Sequence, residues 1–409
     1  MRRRIRNEPV VCISVDAMHE RDLDRLLAQP VLAGLAEKGS TVKEMRTVAP
    51  SLTYPAHASI VTGRRPASHG IVHNEKDPPS GFDWDWNWCR DSIRGDTVCD
   101  AAHRAGYRVA SLLWPVMGGS QFEWVLPEIA ASAMKGESLT WKALRNGTPF
   151  FLLGAEMRHG RLRQGMRQPH LDDFASAVAV ELLGRRLHGP DLLMLHLVDL
   201  DDAKHRHGVG SREADEACDR TAVKIGRVLA AAGVDATVLI FGDHAQIDVG
   251  RLLDGIGRMQ RAGLAVRVHG AGGGAFLYPE SGYLPERDGA RLERLLVDWR
   301  AEPDGGLRGW LDIEGMRAAG TGDGRALALL DAEDGFSFDV GHRATHGHLP
   351  DHPGISTTLF ATGPGIVPGL SIDRAEIIDI GPTVARLLGV ALPEAEGTPL
   401  RLLAQKAGR

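Results

Sequence analysis

Acidic and histidine side chains follow three apolar segments of the sequence, at the point where each segment ends. They are Asp16 after residues 10–15, Asp201 and His205 after residues 191–198, and Asp243 and His244 after residues 236–241. If the segments are parallel strands, their carboxyl ends meet at one edge of a sheet, where ligands gather. Carboxylate and imidazole groups together suit zinc, manganese or iron. The sequence therefore predicts a metal site at this edge.

Each of these residues also has a simpler interpretation. An aspartate after a strand commonly caps the next helix, and a mixed run of charges is typical of a solvated loop. Asp201 and His205 are four residues apart and would share one face of a helical turn. Asp199 and His207 are alternative ligands, and Asp202 is interpreted as a hydrogen-bond acceptor for a ligating histidine. The combination of three segments favours the metal site.

A threonine begins a short predicted helix in residues 51–63. Pro55 suits the first turn of that helix and Gly63 suits its C-terminal cap. The backbone N–H groups and the dipole at such a helix start favour an anion such as phosphate. Thr53 is therefore either a helix cap or a nucleophile, and a nucleophilic hydroxyl at neutral pH needs a metal ion beside it.

Short apolar runs alternate with helical patterns along the chain, and these elements must position the polar residues. The predicted strands are residues 10–15, 107–113, 191–198, 236–241 and 357–361, and the predicted helices include residues 23–38, 219–232 and 380–388. This order favours an α/β fold with a mostly parallel central sheet and helices on both faces. We expect residues 1–409 to form a single catalytic domain, with residues 245–336, rich in glycine and charge, as a smaller inserted lobe.

Composition excludes several classes of protein. A net charge of −5 over 409 residues argues against a protein that coats nucleic acid. The four scattered cysteines form no CxxC pair and are typical of a reducing compartment. The first apolar run is too short for a signal peptide, and no segment approaches the length of a membrane span. We expect a cytoplasmic protein with a small-molecule substrate, and neither a nucleic-acid polymer nor a membrane as partner.

Five sequence features occur in an order that resembles one enzyme superfamily. They are Asp16, the block LTYPAHASIVTGRRPASHGIVHN, the segment DDAKHRHG, the tetrapeptide FGDH, and THGH followed by FATGPGI. Together they resemble the alkaline phosphatase superfamily, and most closely its nucleotide pyrophosphatase/phosphodiesterase branch. The resemblance covers nearly the whole chain and is weakest over the predicted lobe.

The resemblance implies two bound divalent metal ions, usually zinc, with manganese or iron also compatible. The implied ligands are Asp201, His205 and His346 for one ion, and Asp16, Thr53, Asp243 and His244 for the other. Asn74 matches the asparagine that, with the backbone N–H of Thr53, holds a phosphoryl oxygen. The implied reaction is hydrolysis of a phosphodiester, with Thr53 as the nucleophile and a covalent phospho-threonine intermediate.

Two alternatives to a phosphodiesterase remain at this stage. Phosphonoacetate hydrolases share the metal core and the threonine nucleophile, so the substrate is either a phosphate ester or a phosphonate. A non-catalytic metal-binding relative is the other alternative, although Thr53 and Asn74 are both present. The sulfatase branch is disfavoured because its arginine-containing nucleophile motif is missing. His348 replaces a tyrosine of many relatives, and Ala245 replaces a glycine.

Several other residues near these motifs allow two interpretations. Trp84, Trp86 and Trp88 alternate, so they would share a face in an extended segment and either stack on a substrate or pack their own loop. His57 and His69 lie inside the threonine block, where helix packing explains them as well as chemistry does.

Overall fold

The computed structural model describes residues 8–76, 85–129, 138–185 and 188–404. Its strands are β1 (Val10–Val15), β2 (Gly39–Arg46), β3 (Val109–Leu112), β4 (Trp124–Leu126), β5 (Leu192–Leu197), β6 (Thr237–Phe241), β7 (Ile247–Leu252), β8 (Val266–Ala271), β9 (Gly274–Pro279), β10 (Leu307–Asp312), β11 (Ala328–Ala332), β12 (Gly335–Ser337), β13 (Ala344–Thr345), β14 (Thr357–Thr362) and β15 (Ser371–Glu376). Its α-helices are α1 (Glu20–Ala28), α2 (Thr53–Thr62), α3 (Pro66–His69), α4 (Val98–Arg104), α5 (Leu139–Asn146), α6 (Pro149–His159), α7 (His170–Leu183), α8 (Asp199–His207), α9 (Arg212–Ala232), α10 (Gly255–Arg261), α11 (Glu286–Ala301), α12 (Ile313–Ala319) and α13 (Ile380–Leu388).

An eight-stranded sheet in the order β15-β2-β14-β6-β1-β5-β3-β4 forms the centre of the fold. β1 pairs in parallel with β5 on one side and with β6 on the other. β14 runs antiparallel to both of its neighbours, β2 and β6. The predicted α/β fold with a mostly parallel sheet is confirmed. Because β1, β5 and β6 are adjacent and parallel, their carboxyl ends lie side by side.

The buried side chains of β1 show that both faces of this sheet are covered. Val10 and Cys12 belong to one apolar cluster, which also contains residues of α2, α4 and α13. Val11, Ile13 and Val15 belong to a second cluster, which also contains residues of α1, α7 and α9. A strand that is buried on both faces has no polar alternation, which is why the sequence of β1 is continuously apolar.

A second, antiparallel sheet follows in the order β10-β11-β9-β8. It has its own apolar cluster, in which Trp299 is fully buried and donates its indole N–H to the carbonyl oxygen of Gly305 over 2.7 Å. A three-stranded sheet has the order β12-β7-β13. Along the chain, β7 precedes the second sheet and β12 and β13 follow it, and β13 ends at Thr345, immediately before His346. In the part of the chain that the structure describes, no helix combines the length and the apolar character needed to cross a bilayer.

The helix predicted for residues 23–38 is wrong in its extent. α1 ends at Ala28, and its cap Gln29 has ψ 137°, outside the helical region. Gln29 precedes Pro30, and the proline ring disfavours a helical conformation in the residue before it. The chain continues as a 3₁₀ turn over Pro30–Leu32. The shorter helix beginning near Thr53 is confirmed as α2, and Gly63 ends it with a left-handed φ of 66°.

A buried lysine fastens α8 to the segment that follows β1. Lys204 Nζ lies 2.5 Å from Asp22 Oδ2 and donates to the carbonyl oxygen of Ala17 over 2.7 Å. The same Asp22 oxygen accepts the His19 N–H over 2.9 Å and so caps α1. Because the Lys204 side chain is completely buried, this ion pair fixes the distance between the end of β1 and the helix that carries Asp201.

We predict that Lys204→Met lowers the free energy of unfolding of the metal-free protein by about 3 kcal/mol, because Asp22 would lose its buried cationic partner. Chemical denaturation in the presence of a chelator measures this change. Arg206→Met is the matched control on the same helix, since the Arg206–Asp202 pair is exposed and its loss costs about 0.5 kcal/mol. Equal effects of the two substitutions would contradict the prediction.

Candidate metal centre and active site

The end of β1 and the end of β6 bring three predicted ligands together. Asp16, Asp243 and His244 each offer a ligand atom, and these atoms lie within 4.8 Å of one another. His244 Nε2 is 3.5 Å from Asp16 Oδ1 and 3.2 Å from Asp243 Oδ2. Thr53 Oγ1 is 3.1 Å from the same His244 nitrogen. All four side chains predicted for one ion therefore face one point.

The other predicted ligand set also converges. Asp201, His205 and His346 offer ligand atoms within 4.8 Å of one another, and His205 Nε2 is 3.4 Å from Asp201 Oδ1 along one turn of α8. The His346 ring stacks on the His244 ring with 4.0 Å between centroids. The two ligand sets are therefore adjacent, and they are in contact through the rings of His244 and His346, one from each set.

Backbone carbonyl groups orient two of these histidines. His205 donates its Nδ1–H to the carbonyl oxygen of Ala344 over 2.8 Å, and His346 donates its Nδ1–H to that of Ser51 over 3.1 Å. A carbonyl oxygen only accepts, so Nδ1 carries the proton of each neutral ring and Nε2 keeps its lone pair. This is the arrangement by which proteins prepare histidines for a metal ion.

The carboxylates of this centre are buried without enough compensating charge. Asp16 Oδ1 and Asp243 Oδ2 are buried oxygens that lack a hydrogen-bond donor among the described residues. Burial, together with nearby carboxylates, raises the pKa of both carboxyl groups well above the ordinary value. Burial and neighbouring imidazoles lower the pKa of His346 to about 4 and that of His244 well below its ordinary value. Neutral imidazoles and orphaned carboxylate oxygens fit divalent cations.

Thr53 and Asn74 lie at the N-terminal end of α2. Thr53 is the first residue of the helix and its hydroxyl caps no backbone group, since the cap residue is Leu52 and forms no side-chain cap bond. Asn74 Oδ1 accepts the N–H of Tyr54 over 2.9 Å. This bond holds the Asn74 side chain beside the start of α2, where an anion is favoured.

Three polar residues near the centre were not found from the sequence. His196 Nε2 lies 3.1 Å from Asp16 Oδ2, and Gln246 donates from Nε2 to Asp201 Oδ1. Glu128 Oε2 is a buried oxygen that has no hydrogen-bond donor among the described residues, and burial raises the pKa of this carboxyl to about 7. The signal for His196 was present, because it is the single polar residue of the fully buried strand β5.

The spare ligand candidates have other partners. Asp199 forms a bidentate pair with Arg220 at 2.9 and 3.0 Å, and Asp202 pairs with Arg206 at 2.8 Å instead of accepting from a ligating histidine. His207 is exposed at the end of α8. The role suggested for Asp202 is therefore wrong, because Arg206 lies one helical turn away and takes the carboxylate.

The other histidines of the threonine block and the tryptophans that follow it have structural roles, because they contact neighbouring side chains and backbone groups. His57 donates Nδ1–H to the Thr53 carbonyl oxygen over 2.8 Å, and His69 Nε2 contacts Ser59 Oγ at 2.8 Å. Trp88 is buried and hydrogen-bonds Asp85, whereas Trp86 packs edge-on against Tyr54. Trp84 lies outside the described residues.

Two further groups of potential ligands are already engaged. In the first, Asp331 contacts His348 at 3.1 Å and Arg308 at 2.7 Å, so its charge is neutralised. In the second, His73 uses both ring nitrogens, accepting the Glu75 N–H and donating to the Gly270 carbonyl oxygen. Neither group presents the uncompensated carboxylates that characterise the main centre.

Two adjacent groups of potential metal ligands lie close to a hydroxyl at a helix start and to a neutral amide, a combination of groups that is compatible with phosphoryl transfer. Residues 10–312 match the family described as type I phosphodiesterase / nucleotide pyrophosphatase. The chain belongs to this family, a branch of the alkaline phosphatase superfamily. The family consists of metal-dependent hydrolases that act on phosphodiester and pyrophosphate bonds.

Curated relatives match only part of the chain. Human ectonucleotide pyrophosphatase/phosphodiesterase family member 1 is 25% identical over 213 residues, which is 49% of this chain and 19% of that protein. A pyrophosphatase/phosphodiesterase of Schizosaccharomyces pombe is 34% identical over 116 residues, which is 26% of this chain and 23% of that protein. The match thus spans about a fifth of the length of these relatives.

Solved structures share the fold over almost the whole chain. Murine ectonucleotide pyrophosphatase/phosphodiesterase 5 is 16% identical, with a TM-score of 0.70 and coverage of 96% of this chain and 98% of that one. An inactive threonine-to-alanine variant of the murine protein in complex with AMP has a TM-score of 0.69 at 15% identity, with coverage of 96% and 97%. At these identities the similarity shows the fold.

We predict that Asp243→Asn changes stability in opposite directions with and without metal. In chelated protein the substitution removes a buried, uncompensated charge and raises the free energy of unfolding by about 1–3 kcal/mol. In protein saturated with Zn²⁺ it removes a ligand and lowers the melting temperature. Thermal unfolding of both proteins with excess chelator and with excess Zn²⁺ measures the crossover.

The matched control is Asp191→Asn, because Asp191 is equally buried but pairs with Arg108 at 3.1 Å. It should destabilise both the chelated and the metal-loaded protein. A stability change of the same sign for Asp243→Asn in both conditions would contradict a cation at this centre.

Proposed function

We propose that the chain is a two-metal phosphodiesterase or nucleotide pyrophosphatase in which Thr53 is the nucleophile. The observation that supports this most strongly is the position of the Thr53 hydroxyl. It stands at the start of α2, free of a capping role and 3.1 Å from His244 Nε2. The same nitrogen is 3.5 Å from Asp16 Oδ1 and 3.2 Å from Asp243 Oδ2, two oxygens that lack a donor among the described residues. A hydroxyl so placed is poised for activation by a cation and for attack on an anion held at the helix start.

We assign the two ligand sets as the resemblance implies them. Asp16, Thr53, Asp243 and His244 would hold one ion, and Asp201, His205 and His346 the other. Mixed carboxylate and imidazole ligands favour zinc, with manganese and iron as the nearest competitors. The ions, when bound, would lower the pKa of the Thr53 hydroxyl and neutralise charge on the phosphoryl group.

The residues of the chain then act in two displacements. Thr53 Oγ1 forms a bond to phosphorus as the ester oxygen of the leaving group departs, and the product alcohol takes up a proton. The Asn74 amide and the backbone N–H groups at the start of α2 donate to the phosphoryl oxygens. Water then attacks the phospho-threonine, releases the phosphate monoester and restores the hydroxyl.

The substrate would be a small phosphate ester rather than a polymer. The AMP complex of the structural relative makes a nucleotide a reasonable probe. A panel of phosphodiesters, phosphomonoesters and phosphonates, offered to zinc-loaded protein, tests the assignment. Turnover of phosphonates alone would identify a carbon–phosphorus hydrolase, and turnover of none would identify a binding protein.

We also propose that residues 245–336 form an inserted lobe. The support is the separate apolar cluster that contains Leu253, Trp299 and Phe336. Limited proteolysis followed by mass spectrometry tests this division, since preferred cleavage should fall near both boundaries.

A reducing compartment, such as the cytoplasm, is our proposal for the location of the protein. Its support is the set of free cysteines Cys12, Cys89, Cys99 and Cys218, three of which are buried. Fractionation of the source cells followed by detection of the native protein would test it.

We predict that Thr53→Ala abolishes turnover of every diester while the protein still takes up metal. The hydroxyl supplies the nucleophile, whereas the aspartates and histidines supply most of the ligands. Single-turnover kinetics and elemental analysis measure the two properties. Asn74→Ala is the comparison, and we expect a loss of about 10- to 1000-fold, as for one oxyanion donor. Near wild-type rates for Thr53→Ala would contradict the nucleophile assignment.

We predict that diesters are better substrates than monoesters, by at least about tenfold in kcat/KM. A monoester dianion needs an additional cation, and Arg64 and Arg65 are paired with Glu394 and Glu376 at 2.9 and 2.7 Å, near the far end of α2. Asn74 donates a neutral hydrogen bond, which suits a singly charged diester. Comparison of bis-p-nitrophenyl phosphate with p-nitrophenyl phosphate measures the preference, and a preference for the monoester would contradict it.

A further inference from the structure

The antiparallel strands β8 and β9 form a hairpin, residues 266–279, that contacts the segment carrying His346. This lobe hairpin turns at Gly272 and Gly273, and the Gly273 N–H donates to the carbonyl oxygen of His346 over 2.7 Å. The carbonyl oxygen of Ser51, which precedes α2, accepts the Nδ1–H of His346 over 3.1 Å. His346 is therefore held at two points, by its ring and by its backbone.

Glycines allow the two backbones to approach this closely. A Cβ atom at Gly272 would overlap the carbonyl oxygen of His346, and one at Gly274 would overlap that of Gly347. A Cβ atom at Gly347 would in turn overlap the carbonyl oxygen of Ala271. Gly272 and Gly347 also have left-handed φ angles of 73° and 91°, which favour glycine. The hairpin and the His346 segment therefore contact each other without intervening side chains.

The turn of the lobe hairpin is itself fixed by hydrogen bonds. Asp339 Oδ2 accepts the Gly272 N–H over 2.6 Å, and Ser337 Oγ donates to the Gly272 carbonyl oxygen over 3.1 Å. The N–H of Ala332, at the end of β11, donates to the Gly273 carbonyl oxygen over 2.8 Å. Because the turn is buried and its polar groups have partners, it offers a rigid support to the segment that packs against it.

His346 is the member of its ligand set that needs such support. Asp201 and His205 both lie on α8, so the helix fixes their separation, whereas His346 reaches the centre from a different part of the chain. The rings of His205 and His346 are 5.1 Å apart between centroids. Ligand atoms must lie within about 0.2 Å of their ideal distance from a metal ion. A small displacement of the His346 segment would therefore weaken binding of that ion.

From these observations we infer that the lobe hairpin is a positioning element of the metal centre. It sets the place of His346, and with it the affinity of the ligand set formed by Asp201, His205 and His346. The inference rests on the metal assignment made in the proposed function, and it deepens that function because it makes the inserted lobe a part of the active centre.

Gly274→Ala tests the inference by crowding the contact between the hairpin and Gly347. The φ of Gly274 lies outside the left-handed region, so the substitution acts through crowding and not through backbone strain. Gly309→Ala is the matched control in β10 of the same sheet, because a Cβ atom there meets no described atom within 4 Å. Zn²⁺ affinity is measured by competition with a chromophoric chelator, and circular dichroism checks the fold of each variant.

We expect Gly274→Ala to weaken binding of one of the two zinc ions by about 10- to 100-fold, as for loss of a group that orients a ligand. Binding of the other ion, and both affinities of Gly309→Ala, should stay at the wild-type values. His346→Ala locates the effect, since substitutions that act through one residue are not additive. Gly274→Ala should therefore add less than about twofold to the loss caused by His346→Ala, and additive losses would overturn the inference.

A second measurement needs no substitution in the hairpin. Coupling free energies are reciprocal, so zinc must strengthen the hairpin contact by the factor by which the contact strengthens zinc binding. Hydrogen exchange of peptides from residues 266–279 should slow at least about tenfold with Zn²⁺, relative to peptides from residues 286–301 of the same lobe. His346→Ala should abolish this difference. Equal zinc effects on both groups of peptides in the wild-type protein would overturn the inference, whether or not Gly274→Ala folds.

The outcomes separate this inference from the proposed function. Wild-type zinc affinities in folded Gly274→Ala would overturn the inference and leave the phosphodiesterase assignment intact. The expected zinc effects, in a wild-type protein that hydrolyses no diester, would support the inference and contradict the proposed function. A wild-type protein that takes up no zinc would contradict both.

Discussion

Buried negative charge is the constraint on which the active centre depends. Asp16 and Asp243 converge in the protein interior, and each keeps an oxygen without a donor among the described residues. Two carboxylates so close repel each other. Burial also removes them from water, and the hydrogen bonds that they accept do not offset this desolvation free energy. A divalent cation removes both costs at once. In the function proposed above, the surrounding structure is a frame that holds this unfavourable arrangement in place for divalent cations.

The frame is built from several fixed contacts. His196 contacts Oδ2 of Asp16, and backbone carbonyl groups orient His205 and His346. Lys204 and Asp22 join α8 to the end of β1 through an ion pair buried at the centre of the fold. These hydrogen bonds and the ion pair form without a metal ion. The ligand side chains are therefore already positioned, and binding of an ion would require little further ordering of them.

Chain topology explains why ligands distant in sequence meet. β1 lies between β5 and β6, so the segments that follow these strands are neighbours at one edge of the sheet. His346 arrives by a different route, since it follows β13, which pairs with β7 directly after β6. His346 also lies beyond the matched family segment, residues 10–312, yet it stacks on His244.

The sequence was sufficient for the features that depend on local chemistry. Apolar runs ending in aspartate or histidine located the sheet edge, and Pro55 with Gly63 located α2. The prediction for residues 23–38 was wrong because it overlooked a local signal, Pro30, which ends α1 early. Distant packing decides the position of Glu128, since nothing in the sequence around it shows that folding buries its carboxylate beside Asp201 and His205.

An apolar cavity of about 430 Å³ between α5, α6 and α7 was also not predicted from the sequence, because the residues that line it come from segments without a shared motif. Exposed apolar residues such as Phe150 follow ordinary helical spacing and are indistinguishable from core positions until the fold is known. Sequence motifs thus identify the reacting groups, whereas the space around them, and with it the choice of substrate, is a property of the tertiary structure.

The most direct test of the central claim, a covalent intermediate on Thr53, is the stereochemical course at phosphorus. One diastereomer of thymidine 5′-(4-nitrophenyl phosphorothioate) is hydrolysed in water enriched in oxygen-18, and the configuration of the product is determined. Each in-line displacement inverts phosphorus, so attack by Thr53 followed by attack by water predicts overall retention. Inversion would show that water displaces the leaving group directly and would contradict the account.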